Sequence, residues 1–276
     1  MTNPDLCRHT EFLEHLFPRI AGPIVLVTGD ADYAPVRSHA GLLEHPKVLH
    51  WFTQNCDVDY RHPHLTRIPI GIDNPRYTKL EKRIGFAIDM ALGKGPLDPT
   101  ATRNDMGEQD RLLAIAAGLA PVRERALKVL CTFHMNQKLV PNFDQIPDRR
   151  EAYALLRRDP NCNFVERRLA QEDCWRAHAR FAFELSPRGK GLDCFRTWEC
   201  LALGAIPIVK SGTLDPLYLD EALPVVMVES FREVAAANLV RWRDAHADKF
   251  GPALMRKLSN DYWVERIRAA RARGTA

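Results

Sequence analysis

Short apolar runs rich in β-branched residues recur along the chain, and each closes on small or polar residues. Residues 23–28 (PIVLVT) run into Gly29-Asp30-Ala31-Asp32, residues 48–52 (VLHWF) into Thr53-Gln54-Asn55, and residues 65–70 into Gly71-Ile72-Asp73. Runs of this length without strict alternation read as strands buried on both faces of a parallel sheet. Residues 11–20 predict a short helix ahead of them. The pattern then changes over 76–126, where charges, the Gly93-Lys94-Gly95-Pro96 breaker and an apolar-periodic run at 109–117 predict connecting helices around a mobile loop near 93–106. A second series opens with a strand at 126–133. It continues with a helix after Pro147-Asp148 that carries Arg149 and Arg150 in its first turn, a short strand at 163–165 and a helix at 171–180. Two sheets follow from this order, in an N-terminal α/β lobe over 1–125 and a C-terminal one over 126–276.

Residues 181–209 hold the densest signal: an apolar strand, the turn Ser186-Pro187-Arg188-Gly189-Lys190-Gly191, a helix over 194–203, and a second strand after Gly204. Asp193 is suited to the N-cap of that helix and Gly204 to the residue just past its end. A further strand is expected at 224–228, and from Phe231 onward the pattern is helical.

Composition narrows the classes. The chain has 276 residues, 46% hydrophobic and 27% charged, which suits two globular lobes with their own cores. Its net charge of +4 does not call for a nucleic-acid partner. Basic residues gather late (Arg241, Arg243, Arg256, Lys257, Arg266, Arg268, Arg271 and Arg273), as a solvated helix face or as a footprint for anionic lipid or an anionic acceptor. No apolar run approaches ~18 residues, and the first ten residues lack a cationic start and apolar stretch, so a cytoplasmic location is expected, with peripheral membrane contact through the basic C-terminal helix as the alternative. Seven cysteines with no C-x-x-C spacing read as reduced thiols.

Chemistry concentrates in the 186–199 segment. A helix start offers backbone N–H groups and a positive dipole end, Gly189 and Gly191 permit close approach, and Arg188 and Lys190 add charge, which together suit a diphosphate. Arg196 and Glu199 lie three apart on one face, and an ionised Glu199 has two acceptor oxygens for a ribose diol. The same pair is equally an ordinary surface ion pair. No D-x-D triplet suits a donor metal: Asp30-Ala31-Asp32 has the spacing but follows the first strand. Asp30 or Asp32 is instead the candidate general base, with His50, His62 and His64 as rivals. Asn55 and His64 are candidates for acceptor or cleft contacts.

The string of residues 186–209, SPRGKGLDCFRTWECLALGAIPIV, resembles the donor-domain motif of exostosin-like glycosyltransferases. More broadly it is similar to the helix and strand of GT-B enzymes whose glutamate binds the donor ribose. The resemblance implies a GT-B fold: two Rossmann-like lobes with parallel sheets facing a cleft, the N-terminal lobe reduced and the final helix crossing back to it. It implies a donor site formed by Arg188, Gly189, Lys190, Gly191, Asp193, Arg196 and Glu199, with Arg149 or Arg150 from the upstream helix; Arg150 is the one carried into the expected site. His134-Met135-Asn136 stands where the family has glycine, and Asp73 is similar to a loop aspartate of other GT-B enzymes. The implied activity is transfer from a UDP- or GDP-sugar to a glycan, polysaccharide or glycolipid, inverting and metal-independent, with the nucleotide-sugar a substrate and no cofactor. A nucleotide-dependent phosphotransferase acting on cell-surface polymers and a non-catalytic nucleotide- or glycan-binding module are the alternatives.

Overall fold

The computed structural model describes residues 12–29, 32, 36–72, 107–133, 135, 147–167 and 169–274. Asp30, Asp73, the 93–106 loop, His134 and Asn136 lie outside the described residues. The first sheet holds β1 (Ile24–Thr28), β2 (Val48–Thr53) and β3 (Leu65–Arg67), parallel and in that order. β3 ends before the expected Ile70. Ile68 N–H still reaches Thr53 O at 2.9 Å, but Pro69 has no N–H with which to continue the ladder.

The second sheet holds β4 (Ala126–Cys131), β5 (Cys162–Phe164), β6 (Phe181–Leu185), β7 (Ile206–Lys210) and β8 (Val226–Val228), all parallel, in the order β5-β4-β6-β7-β8. Every residue of β6 is buried, as a central parallel strand requires. The helices are α1 (Gly107–Ala117), α2 (Pro147–Leu156), α3 (Gln171–Ala177), α4 (Phe195–Ala202), α5 (Asp215–Asp220), α6 (Ala236–His246), α7 (Pro252–Lys257) and α8 (Asn260–Gly274). The chain leaves β4 to one side for β5 and returns on its other side for β6. In open α/β sheets this reversal leaves a crevice at the carboxyl ends of the two strands.

One hydrophobic core joins the two sheets. It combines Trp51 and Phe52 of β2 with Trp198 and Leu201 of α4, Tyr218 of α5 and Trp263 of α8. α8 packs on β1 and β2, so the final helix does return to the first sheet. A second core, with Phe183, Ile208, Leu239 and Trp242, lines the other face of the larger sheet between α2 and α6. Both are close-packed apolar interiors, in which fully burying a large side chain stabilises the fold by about 1.5–3 kcal/mol.

α4 corrects one expectation and meets another. Its N-cap is Cys194, without a side-chain cap, and not Asp193. The Asp193 carboxylate accepts instead from Trp198 Nε1 at 2.8 Å and from the Ile70 amide at 2.9 Å, two donors that would otherwise lie unsatisfied in the shared core. At the other end Gly204 has φ +71, donates to Leu201 O, and lets Ala205 donate to Cys200 O, the double bond of a glycine-terminated helix.

Candidate functional site

Three arginines stand near the carboxyl ends of β4 and β6, where the strand order reverses: the charges of Arg149 and Arg196 act on one another, and the Arg188 guanidinium is tied to Asp148. Arg188 leaves β6 in the Pro187-Arg188-Gly189 turn and grips Asp148 of α2 through Nε at 2.6 Å and Nη2 at 3.2 Å. Asp148 is fully buried, and its paired hydrogen bonds raise the Arg188 pKa and fix the fork in one orientation. Arg149, the next residue of α2, donates from Nε to Arg188 O at 3.1 Å. Arg196, in the first turn of α4, donates from Nε to Thr132 Oγ1 at 3.1 Å, just beyond the end of β4. Burial, and then the charge of Arg196, push the Arg149 pKa down. Of the three, Arg149 alone is held down while Arg188 and Arg196 are raised, and an anion beside Arg149 and Arg196 would relieve the repulsion between them.

Glu199 follows Arg196 by three residues and is half-buried, with Oε1 withdrawn from solvent. Its charge acts on Arg196, Glu184 and Cys174, so the carboxylate belongs to the cluster beneath the guanidiniums. Arg150 stands about 100° further round α2 than Arg149 and is exposed. Of the two arginines in that turn, Arg149 is the one at the site.

The glycine turn is filled from within the chain. A Cβ on Gly189 would lie 3.0 Å from Arg149 Nη2, and one on Gly191 would lie 3.0 Å from Asn55 Oδ1. Lys190 Nζ meets Asp32 Oδ2 at 2.6 Å, and Asn55 Oδ1 accepts from the Asp193 amide at 2.7 Å. Residues following β1, β2 and β3 (Asp32, Asn55 and Ile70) therefore all reach the 190–193 segment. Asn55 does so from the left-handed region, at φ 47, which asparagine tolerates better than most residues. Burial raises Asp193 to about 6, against its three sets of hydrogen bonds. Asp193 holds the first sheet to the glycine turn, while Arg188 and Arg196 stand beside the crevice.

His64 lies elsewhere. It borders a cavity of about 350 Å³ formed by Val48, His50 and Pro63 with Arg273 of α8, at the amino end of β2. Of its fellow histidines, His50 is lowered to about 4 by burial and then by the charge of His64, and His62 pairs with Glu44 at 2.8 Å. Two basic residues of the C-terminal helices are engaged within the chain, Arg266 with Glu221 and Arg256 with Glu265. No helix of the described residues is long and apolar enough to cross a membrane.

Under Arg196 lies a buried group of His178, Glu184 and Cys200, whose nitrogen, oxygen and sulfur atoms all fall within 4.8 Å of one another. Burial raises the Cys200 thiol well above its ordinary range. Arg196 already sits 3.3 Å from Glu184 Oε1, and the charge of Arg125 also acts on His178.

Sequence reasoning passed over Asp148, Glu184 and His178. The signal for Glu184 was a lone carboxylate inside the apolar run FAFEL. For Arg149 it was a cation in a helix's first turn, where the dipole disfavours positive charge. No family model matches the chain, and no curated protein matches it.

Proposed function

We propose that the chain is a glycosyltransferase of GT-B type that takes a sugar from a nucleoside-diphosphate sugar, UDP- or GDP-linked, and passes it to a glycan or lipid-linked acceptor. The observation that carries this reading is the pairing of Arg149 with Arg196 at the switch point of the larger sheet, beside the turn of Arg188. Ligands of open α/β folds bind at such a point, and two neighbouring cations there, with Arg188 beside them, suit a diphosphate. Glu199, one turn further along α4, is the group assigned to the ribose hydroxyls.

The chemistry follows from that placement. The acceptor hydroxyl attacks the anomeric carbon as the bond to the diphosphate oxygen breaks. The three guanidiniums stabilise the charge developing on the leaving group, oriented before the reaction begins, with Asp148 and Thr132 as their props. Asp32, held by Lys190 beside the donor turn, is assigned as the base that takes the hydroxyl proton, with inversion at the sugar.

A thermal-shift screen against UDP, GDP, CMP and ADP tests the reading. A nucleotide at a hundredfold excess over its dissociation constant adds about 2.7 kcal/mol to stability by mass action. A rise with UDP or GDP is expected. No response to any of the four overturns the proposal, and binding without hydrolysis or transfer of any sugar nucleotide would leave only a binding module.

A further inference from the structure

The cavity of about 350 Å³ at the amino end of β2 has walls of two kinds. Val48, Leu49 and Pro63 form an apolar side, closed where Gly274 at the end of α8 lies so near Leu49 that a Cβ would not fit between them. His45, His50, His64 and Arg273 form the other side.

Hydrogen bonds fix where two of the imidazoles carry their protons. His45 Nδ1 accepts from the Lys47 amide at 3.1 Å, which leaves its proton on Nε2. His64 Nδ1 donates to Leu43 O at 3.1 Å, since a carbonyl oxygen only accepts, and its Nε2 is left as an acceptor. His50 Nε2 and Thr66 Oγ1 are hydrogen-bonded at 2.8 Å. Arg266 and Arg256 are paired with carboxylates, whereas the exposed Arg273 makes no ion pair among the described residues. Glu44 borders the cavity too, but its largely exposed carboxylate turns to His62 at 2.8 Å. Burial, and then charge at His64, Arg273, Arg266 and His62, holds His50 down to about 4. The field in this corner is therefore positive, and an anion is the ligand that would relieve it.

We propose that this cavity is a second ligand site, which takes a phosphate monoester on Arg273, His45 and His64 and lays the uncharged body of the ligand against Val48, Leu49 and Pro63. A phosphate monoester suits these groups better than a carboxylate. Its second proton leaves near pH 6, so near neutrality it offers both acceptor oxygens and, in the monoanion, a hydroxyl. The oxygens accept from Arg273 and His45 Nε2, and the hydroxyl donates to His64 Nε2. The site is separate from the crevice. Val48 opens β2 beside the cavity, and Asn55 lies past the other end of the strand, roughly 20 Å away at about 3.3 Å per residue. A small molecule held here does not reach the donor turn, so the site stands whether or not the chain transfers sugars. A soluble phosphate ester and the headgroup of an anionic phospholipid present the same chemistry, and experiment tells the two sources apart.

Glycerol 3-phosphate is the soluble probe. Its addition to the wild-type protein should move the imidazole resonances of His45, His50 and His64 and leave His178, below the crevice, unmoved. Calorimetric titration should give one affinity in the wild type and Arg149→Ala, and a loss of about tenfold or more in Arg273→Ala. Sedimentation with phosphatidylcholine vesicles containing phosphatidic acid is the second arm. Vesicle binding that Arg273→Ala abolishes, without binding of glycerol 3-phosphate, assigns the phosphate to a lipid. The wild-type resonances need no variant, so they carry the test even if Arg273→Ala does not fold. Binding of neither probe overturns the proposal, as does binding that Arg273→Ala leaves intact. Binding that Arg149→Ala removes also overturns it, because the phosphate is then in the crevice.

Discussion

The side chain of Asn55 accepts a hydrogen bond from the backbone amide of Asp193 at 2.7 Å, although 138 residues separate them. Asn55 lies just past the end of β2, and Asp193 closes the glycine turn. This bond, together with the Asp193 carboxylate on the Ile70 amide, fastens the first sheet to the turn that carries Arg188.

Substitution at Asn55 separates the bond from the backbone. Asn55→Gly keeps the left-handed conformation but strands the Asp193 amide, for a loss of about 1–3 kcal/mol. Asn55→Ala adds the steric cost of a Cβ at φ 47, about 1 kcal/mol more. Urea denaturation of the two variants checks the difference. Equal losses would mean that the backbone at Asn55 relaxes freely.

Much of the scaffold was legible because local forces shape it. Residues 23–28 and 48–52 form strands because they have little polar surface to present on either face. Gly204 ends α4 because a left-handed residue was needed there. Asp193 was misjudged as the cap of α4 because its partner Ile70 lies 123 residues away, and no local pattern reports such a pairing. Arg149 and Arg150 are alike in the sequence. The rotation of α2 against β6 decides which one reaches the turn, and in that rotation Asp148 pairs with Arg188 while Ala152 and Leu156 face the core.

Stability should peak near pH 6.5. Asp193 and Glu184 have folded pKa values raised from 3.8 to about 6 and from 4.5 to about 8, so the folded state holds their protons more tightly and stability falls as pH rises through those intervals. His50, His178 and His246 are lowered from 6.5 to about 4, 3 and 4, so the unfolded state binds their protons more readily and stability rises with pH up to 6.5. Below 6.5 the three histidines outweigh the two carboxyls. Above it Glu184 alone sets the slope, downward to about 8. Chemical denaturation across pH 5–8.5 should show this maximum, and Glu184→Gln should flatten the limb above it. A wild-type limb that keeps rising to pH 8 would contradict the buried, protonated Glu184.

Asp32→Asn should separate binding from transfer. The Asp32–Lys190 pair is substantially exposed, so its loss costs less than ~1 kcal/mol of stability. Nucleotide affinity should stay within about twofold, while sugar transfer falls by about 10²–10⁴ as the proton acceptor is lost. Steady-state kinetics beside a binding titration checks this. Transfer at the wild-type rate would move the base to another residue.

Calorimetric titration of UDP and GDP into Arg149→Ala and Arg150→Ala bears hardest on the site itself. The two variants differ from the wild type by the same charge and from each other by one position on α2. If the anion site lies at Arg149 and Arg196, beside the turn of Arg188, Arg149→Ala weakens binding tenfold or more, about 1.4 kcal/mol, and Arg150→Ala leaves it unchanged. Equal effects from both, or a stronger effect at Arg150, would place the nucleotide elsewhere on the molecule.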